Sequence, residues 1–190
     1  MKKIICAIVT ACILISSCKS GKENKNPSEE LQKNIEDISS SVSVEAKEGQ
    51  GKITLQCNGN TYEIKGVCGA VSAMGSLDVV VKDDTTPVKV FTVSMKTNEL
   101  PASSTVYSIV KSNLDDKDLS HIVIGFTDMR TEAPMIWESD NSSGKLKFEV
   151  TGNQIKCSFT DIALQPNSFY NKEAQNKPAS VSGEFYLYKN

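Results

Sequence analysis

The sequence predicts an all-β domain, which we expect to be an antiparallel β-sandwich, with a β-barrel as the alternative. From residue 42 onward apolar residues recur at every second position, which is the period of strands with one buried face. The apolar runs are short, and the segments between them are rich in the residues that form turns, namely Asp, Asn, Gly, Ser and Pro. Many short strands joined by such turns are typical of sandwiches and barrels.

The first 18 residues are typical of a bacterial lipoprotein signal. Met1-Lys2-Lys3 forms a short positive start, and an apolar run from Ile4 to Ile15 follows it. This run is shorter than the roughly 20 residues that span a bilayer, but it suits the core of a signal peptide. It ends in Ile15-Ser16-Ser17-Cys18, which resembles a lipobox. We therefore expect cleavage after residue 17 and acylation of the Cys18 thiol, which would anchor the chain firmly to a membrane.

These features divide the chain into a cleaved signal peptide (1–17), a lipid-anchored tether (18–41) and a β-rich domain (42–190). The tether opens with KSGKENKNP, a polar stretch typical of a flexible spacer. Leu31, Ile35 and Ile38 would share one face of a short helix if one forms there. Lys19, rather than Asp, follows the acylated cysteine, so we expect a location in the cell envelope at the outer membrane, with its facing left open.

The charge of the chain disfavours nucleic acid as a partner. The formal net charge is −2, and removal of Lys2 and Lys3 with the signal makes it more negative. Binding to phosphates requires a basic patch instead. We expect the chain to contact a membrane through its N-terminal lipid and to bind an unknown envelope protein, glycan or small ligand. No cofactor is expected.

Two hairpins are predicted in detail. Asn58-Gly59 is the strongest short hairpin signal, because a type I′ turn needs two residues that tolerate positive φ. A two-residue loop at this point places every apolar residue of both strands on one face, with the pairs Cys57–Asn60, Leu55–Tyr62 and Ile53–Ile64. Gly152-Asn153 predicts the second hairpin by the same reasoning, with the pairs Val150–Ile155, Phe148–Cys157 and Leu146–Phe159.

Further strands are predicted at Leu77–Lys82, Val88–Met95, Thr105–Lys111, Leu119–Thr127, Met135–Glu138 and Val181–Tyr188. In the second of these strands the apolar phase changes between Val90 and Phe91. Such a change of phase predicts a β-bulge, in which one extra residue is accommodated.

Few side chains suggest catalysis or metal binding. His121 is the only histidine, and its strand position predicts an outward side chain with no nucleophilic triad around it. Asp115-Asp116-Lys117-Asp118 could offer oxygen ligands to Ca²⁺. However, Lys117 occupies a ligand position and the glycine of an EF-hand is missing, so an acidic turn is favoured. The cysteines lack the spacing of a zinc site. We therefore predict no catalytic and no metal-binding residues.

Three other features could form part of a site. Arg130, the only arginine, lies between Asp128 and Glu132, where an internal salt bridge is a commoner role than ligand contact. Trp137, the only tryptophan, is predicted to lie in the core. The most promising stretch is the long loop Gln165–Pro178, because loops of this length are often functional or disordered. Its central aromatic residues, Phe169 and Tyr170, are the candidate binding residues.

From Ile53 onward the chain resembles the small mycobacterial lipoprotein-antigen family. The shared features are a Gly-turn hairpin leading to a cysteine (CNGNTYEIKGVC), a late G-x-x-x-K strand (GNQIKCSFTDIAL), an Asn-rich loop and a closing apolar strand (SGEFYLY). The tether and lipobox are similar to those of Bacteroidetes lipoproteins as well. The family resemblance implies a compact β-rich domain on a lipid anchor, acting at the cell surface without clear catalysis. The chain departs from the family at Tyr188-Lys189-Asn190, where the family has a half-cystine.

Three cysteines, Cys57, Cys68 and Cys157, remain in the β-rich domain, and an exported protein meets an oxidising compartment. Cys68 lies too far along its strand to reach Cys57 unless the chain reverses at Gly66 or Gly69. A bridge from Cys157 across the domain is therefore favoured. The family resemblance implies a half-cystine at Cys68, so the predicted pair is Cys68–Cys157. Three buried thiols are the alternative.

Together these observations predict a lipid-anchored, non-catalytic envelope lipoprotein whose β-domain binds a ligand or partner. A structural or assembly component of the envelope is one alternative, and it would show a large apolar patch. A hydrolase is the other alternative. It would need a cleft with converging carboxylates, such as those of Asp128 and Glu132.

Overall fold

Eleven strands and no helix make up the described part of the computed structural model, which covers residues 43–44, 46–73, 75–83, 88–113, 116–129, 134–171 and 176–190. The predicted signal peptide and tether, including Cys18, lie outside these residues. The strands are β1 (Ser43–Val44), β2 (Ala46–Cys57), β3 (Asn60–Ala73), β4 (Ser76–Lys82), β5 (Lys89–Met95), β6 (Thr105–Ile109), β7 (His121–Asp128), β8 (Met135–Ser139), β9 (Lys145–Thr151), β10 (Gln154–Pro166) and β11 (Ala179–Lys189).

The sheet closes on itself as a nine-stranded β-barrel with the strand order β3-β2-β11-β10-β9-β6-β7-β5-β4, because β4 pairs back onto β3. The all-β prediction is therefore confirmed, while the predicted sandwich is wrong and its stated alternative, the barrel, is found. The reason is the length of β3. Its first part, Asn60–Cys68, pairs with β2, and its last part, Val67–Ala73, pairs with β4. One long strand thus joins what would otherwise be the edges of two separate sheets.

The strands that lie between β7 and β10 differ between the two ends of the barrel wall. At one end β8 bridges β10 and β7 directly, whereas at the other end β9 and β6 lie between them, with β6 parallel to β7. Two buried serine side chains form hydrogen bonds with backbone groups at the point where β8 is replaced by β9 and β6. Ser139 Oγ accepts the N–H of Ile124 at 2.9 Å and donates to the carbonyl of Val110 at 2.8 Å. Ser143 Oγ donates to the carbonyl of Ala163 at 2.6 Å.

Alternate residues of the strands point inward and form a single buried core. Its largest members are aromatic, and they contact one another across the interior, as in the stacked pair Phe91–Phe159, whose ring centroids are 5.2 Å apart. Trp137 is fully buried, as predicted. It packs against Tyr62 and Phe126, with centroids 5.5 and 6.2 Å away.

The barrel has two distinguishable ends. The loop end carries the Asn58–Gly59 turn and the segment between β10 and β11, since Gln56 pairs with Ser180. The entry end is the opposite one, where β2 begins at Ala46 beside Lys189. The chain therefore enters the barrel at the end away from the predicted binding loop.

In the described part of the chain, no helix has the length and apolar character needed to cross a membrane.

The predicted hairpins are largely confirmed. Every pair proposed for the first hairpin is found, and the second hairpin has the predicted pairs Val150–Ile155 and Phe148–Cys157. The third predicted pair, Leu146–Phe159, is not formed, because the ladder between β9 and β10 ends at Phe148 and Cys157, just before the register of β10 shifts at Phe159.

The predicted bulge in β5 is also wrong. This strand keeps an unbroken register with both neighbours, and the apparent change of phase arises because Val90 is an apolar residue on the outer face. The register shifts of the sheet lie instead between Phe159 and Ile162 in β10 and between Tyr186 and Tyr188 in β11.

The cysteines of the domain, Cys57, Cys68 and Cys157, are buried free thiols, so the predicted Cys68–Cys157 bridge is not formed in the structure. The stated alternative, in which the thiols serve as small apolar side chains, describes their packing. The chain does not reverse at Gly66 or Gly69, because β3 runs through both. Burial raises the pKa of the Cys157 thiol to about 12, and it raises that of Cys68 as well.

Candidate functional site

The candidate binding loop begins with a turn that extends the ladder of β8. Strand β10 ends at Pro166, and the next residue, Asn167, donates its N–H to the carbonyl of Ile136 in β8 at 2.9 Å. The carbonyl of Asn167 then accepts the N–H groups of Tyr170 at 3.1 Å and Asn171 at 2.8 Å. Its side-chain oxygen accepts the N–H of Phe169 at 3.1 Å. The turn is thus closed by hydrogen bonds to one residue.

Asn171 attaches the end of this turn to β8. Its side chain is 2 % exposed, and its Oδ1 accepts the N–H of Ile136 at 2.6 Å. The carbonyl of Ile136 therefore accepts a hydrogen bond from Asn167, and its N–H donates one to Asn171. Both backbone groups of this strand residue thus hold the turn. Residues 167–171 are consequently fixed to the wall of the barrel at two points.

The fixed turn displays an aromatic pair. Phe169 is 82 % exposed, and its ring packs edge-to-face against Tyr170 with centroids 4.9 Å apart. Aromatic side chains held in place in this way lose little conformational entropy on binding, and they are frequent anchors of protein interfaces. The structure thus brings together Phe169 and Tyr170, the two residues predicted from the sequence.

The returning part of the loop is attached to the core. The carbonyl of Lys177 accepts the indole N–H of Trp137 at 3.1 Å, and the Cys57 thiol lies 3.6 Å from the same oxygen. Sequence reasoning assigned Trp137 to the core but did not connect it with the loop. The contact joins residues 40 apart in the chain, so no local pattern could reveal it.

The other exposed large apolar residues lie away from this turn. Val106 on β6 is 52 % exposed, and Leu119, which precedes β7, is 64 % exposed. Both belong to segments nearer the entry end, as the pairing of β6 with the first residues of β7 shows. Among the described residues Phe169 is therefore the most exposed large apolar side chain, and it is isolated from the other two.

His121 faces away from the core as predicted, and two carboxylates surround its ring. Nδ1 lies 2.8 Å from Asp116 and Nε2 lies 3.5 Å from Asp118. The pKa of Asp116 is lowered first by the N–H of Asp118 and then by His121, and that of Asp118 is lowered first by the hydroxyl of Ser120. Both carboxylates are thus engaged in shaping their own turn, which agrees with the acidic-turn interpretation. In the described part of the chain, no three His, Cys, Asp or Glu side chains are grouped as a metal site.

The two carboxylates that a hydrolase would use are those of Asp128 and Glu132, and the structure does not describe both. Asp128 is buried at the end of β7, whereas Arg130 and Glu132 lie outside the described residues. The acylation site Cys18 lies outside them too.

The residues that position the loop, Asn167 and Asn171, were not predicted. A local signal exists for Asn167. An asparagine side chain that accepts the N–H of the residue two positions later is a common turn motif, and the sequence reads Asn167-Ser168-Phe169.

Comparison of the chain with models of protein families, with curated proteins and with solved structures gives no match.

Proposed function

We propose that this chain is a lipid-anchored envelope lipoprotein that binds a partner protein through the loop between β10 and β11 without catalysing a reaction. The observation that carries the proposal is the exposed Phe169 on a turn that is fixed to β8. The attachment of the turn to the backbone of β8 provides a preorganised contact, which reduces the entropy lost on binding. The lipobox at residues 15–18 supports the anchor, and Lys19 after the acylated cysteine supports an outer-membrane location.

The position of the loop supports the same proposal. The chain enters the barrel at the entry end, so the loop lies at the opposite end of the domain from the residue where the chain enters it. A structural role of the kind that needs a large apolar patch is less well supported, since the exposed apolar residues of the described chain are separate from one another.

Site-specific photocrosslinking tests the binding role. A photoreactive phenylalanine analogue is placed at position 169, or at Leu119 as a matched exposed control, in the full-length chain in its own cells. We expect a discrete adduct with one envelope protein from position 169 and none from position 119. With the partner purified, Phe169→Ala should weaken binding at least about tenfold, which is the loss expected for an aromatic anchor, whereas Leu119→Ala should not. Equal adducts from both positions, or unchanged affinity in Phe169→Ala, would refute the proposal.

The anchor has its own test. In Cys18→Ala the acyl chains have no attachment point, so most of the protein should leave the membrane fraction. Full membrane retention of this variant would show that another feature holds the chain at the membrane.

A further inference from the structure

A shallow groove crosses the outside of the barrel over β2, β11 and β10. It has a volume of about 540 Å³. Six polar side chains line it, two from each strand, and four of them carry hydroxyl groups: Lys52, Thr54, Ser158, Thr160, Ser182 and Glu184.

The strand register explains how these side chains come together. Glu184 of β11 lies opposite Lys52 of β2 on one side and Ser158 of β10 on the other. Two residues further back, Ser182 lies opposite Thr54. Because neighbouring strands are about 4.8 Å apart and alternate residues share a face, polar groups on the outer face form two parallel rows across three strands.

Two irregularities of the backbone border the groove. In β10 the register shifts after Phe159, and Asp161 adopts a positive φ of 53°. Ser182 Oγ accepts the N–H of Asp161 at 2.9 Å, and the carboxylate of Asp161 accepts a hydrogen bond from Ser180 at 3.1 Å. In β11 a Cβ on Gly183 would lie 2.4 Å from the carbonyl oxygen of Lys52, so the two strands approach more closely than a side chain permits. A bulge and a glycine bend strands locally, which shapes the floor of the groove.

The chemistry of the groove favours a ligand that is rich in hydroxyl groups. The hydroxyls of Thr54, Ser158 and Thr160 can each both donate and accept a hydrogen bond, as sugar hydroxyls do. The hydroxyl of Ser182 is already bonded to Asp161. The lining carries one ammonium, that of Lys52, and one carboxylate, that of Glu184. An ion pair with Lys156 at 3.1 Å holds the Glu184 carboxylate at the edge.

Aromatic rings continue the surface beyond the groove. Tyr186 occupies the next outward position of β11 after Glu184, and Tyr188 follows it. Their rings contact each other with centroids 5.8 Å apart, and both are partly exposed. Tyrosine offers an apolar face together with a polar tip, which suits the C–H faces and hydroxyls of sugar rings. From this arrangement we propose that the outer face of β2, β11 and β10 binds a glycan chain, with its hydroxyls in the groove and a ring against Tyr186.

The test uses the full-length chain in detergent and a panel of soluble tetrasaccharides, namely those of β-1,4-glucose, α-1,4-glucose and β-1,4-N-acetylglucosamine, together with fragments of the peptidoglycan glycan strand. In NMR titrations at millimolar concentration, at least one of them should shift the amide signals of residues 52–54, 158–160 and 182–186 selectively. No shift with any member of the panel, or shifts confined to other parts of the barrel, would overturn the proposal.

Substitutions on the outer face provide the matched controls. Ser158→Phe fills the groove with an aromatic ring that strands tolerate well, and it should abolish the shifts. Ser94→Phe makes the same change on β5, away from the groove, and should leave them intact. Glu184→Gln should weaken binding about tenfold, because it removes a charged acceptor. Phe169→Ala should have no effect, so the glycan proposal can fail or hold independently of the loop proposal. Full binding by Ser158→Phe would refute the assignment of the site.

Discussion

At the residue scale, a few buried polar side chains carry hydrogen bonds that no strand ladder supplies. Ser139 is the clearest case, because it lies where the partner of β7 changes from β8 to β6. The N–H of Ile124 at that point is bonded to the Ser139 hydroxyl rather than to a neighbouring strand. A single oxygen thus takes the place of a backbone carbonyl in the wall of the barrel.

We expect Ser139→Ala to lower the free energy of unfolding by about 1–3 kcal/mol, since it leaves a buried N–H without its acceptor. Urea denaturation followed by circular dichroism gives the value. Ser94→Ala, on the outer face of β5, is the control and should change the free energy by less than about 0.5 kcal/mol. Equal effects of the two substitutions would show that the hydroxyl of Ser139 is not needed at this position.

At the scale of single elements, glycines decide how closely the strands approach. Gly66 and Gly69 lie three residues apart in β3, yet their surroundings differ. A Cβ at Gly66 would lie 2.1 Å from the carbonyl oxygen of Lys82, whereas a Cβ at Gly69 would meet no atom within 4 Å. The first glycine is therefore required by the neighbouring backbone, and the second is not.

This difference predicts opposite results for the same substitution. Gly66→Ala should lower the free energy of unfolding by at least about 2–3 kcal/mol, because the backbone of β4 must move to admit the methyl group. Gly69→Ala should be neutral, or stabilising by about 0.5–1 kcal/mol, because alanine restricts the unfolded chain more than glycine does. Urea denaturation of both variants checks the prediction, and a comparable loss in Gly69→Ala would contradict it.

The same glycines show what the sequence could and could not predict about the fold. The Asn58-Gly59 hairpin was predicted pair by pair, because a local turn sets its register and one apolar face confirms it. The preference for a sandwich had no specific signal behind it and is wrong, because closure of the barrel depends on which strand lies beside Gly66, and that strand is β4. A glycine in a strand indicates a close approach, but the sequence does not say which backbone approaches.

The candidate loop was predictable to a similar extent. Its length and its aromatic pair indicated a binding segment, and the structure shows Phe169 exposed. Its attachment through Ile136 and Trp137 was not predictable, because those contacts link distant parts of the chain. Local chemistry therefore predicts which side chains are displayed, whereas tertiary contacts decide whether they are held in place.

At the scale of the whole molecule, closure of the sheet links the stability of all its strands. In a closed barrel every strand has two neighbours, and most of the contacts join distant parts of the chain. Exposure of the centre of the core should therefore require global unfolding rather than the loss of one edge. The three buried thiols lie at different places in this core and can report on it.

Cys68 and Cys157 lie within the fully buried core, whereas the thiol of Cys57 lies under the returning loop, beside the carbonyl of Lys177. We expect iodoacetamide to modify Cys68 and Cys157 only through global unfolding, with rates that rise together as urea is added. The pKa of the Cys157 thiol, raised to about 12 by burial, keeps it protonated and unreactive in the folded state. Cys57 should react at least about tenfold faster, because displacement of the loop alone uncovers it.

Peptide mapping by mass spectrometry, without reductant, measures the three rates separately. The matched variant is Trp137→Phe, which removes the indole N–H that holds the carbonyl of Lys177 and should accelerate modification of Cys57 more than that of Cys157. Equal acceleration of both would show that the loop does not open independently of the barrel. A Cys68–Cys157 disulfide in the native protein would contradict the free thiols of the structure and restore the pairing that the family resemblance implied.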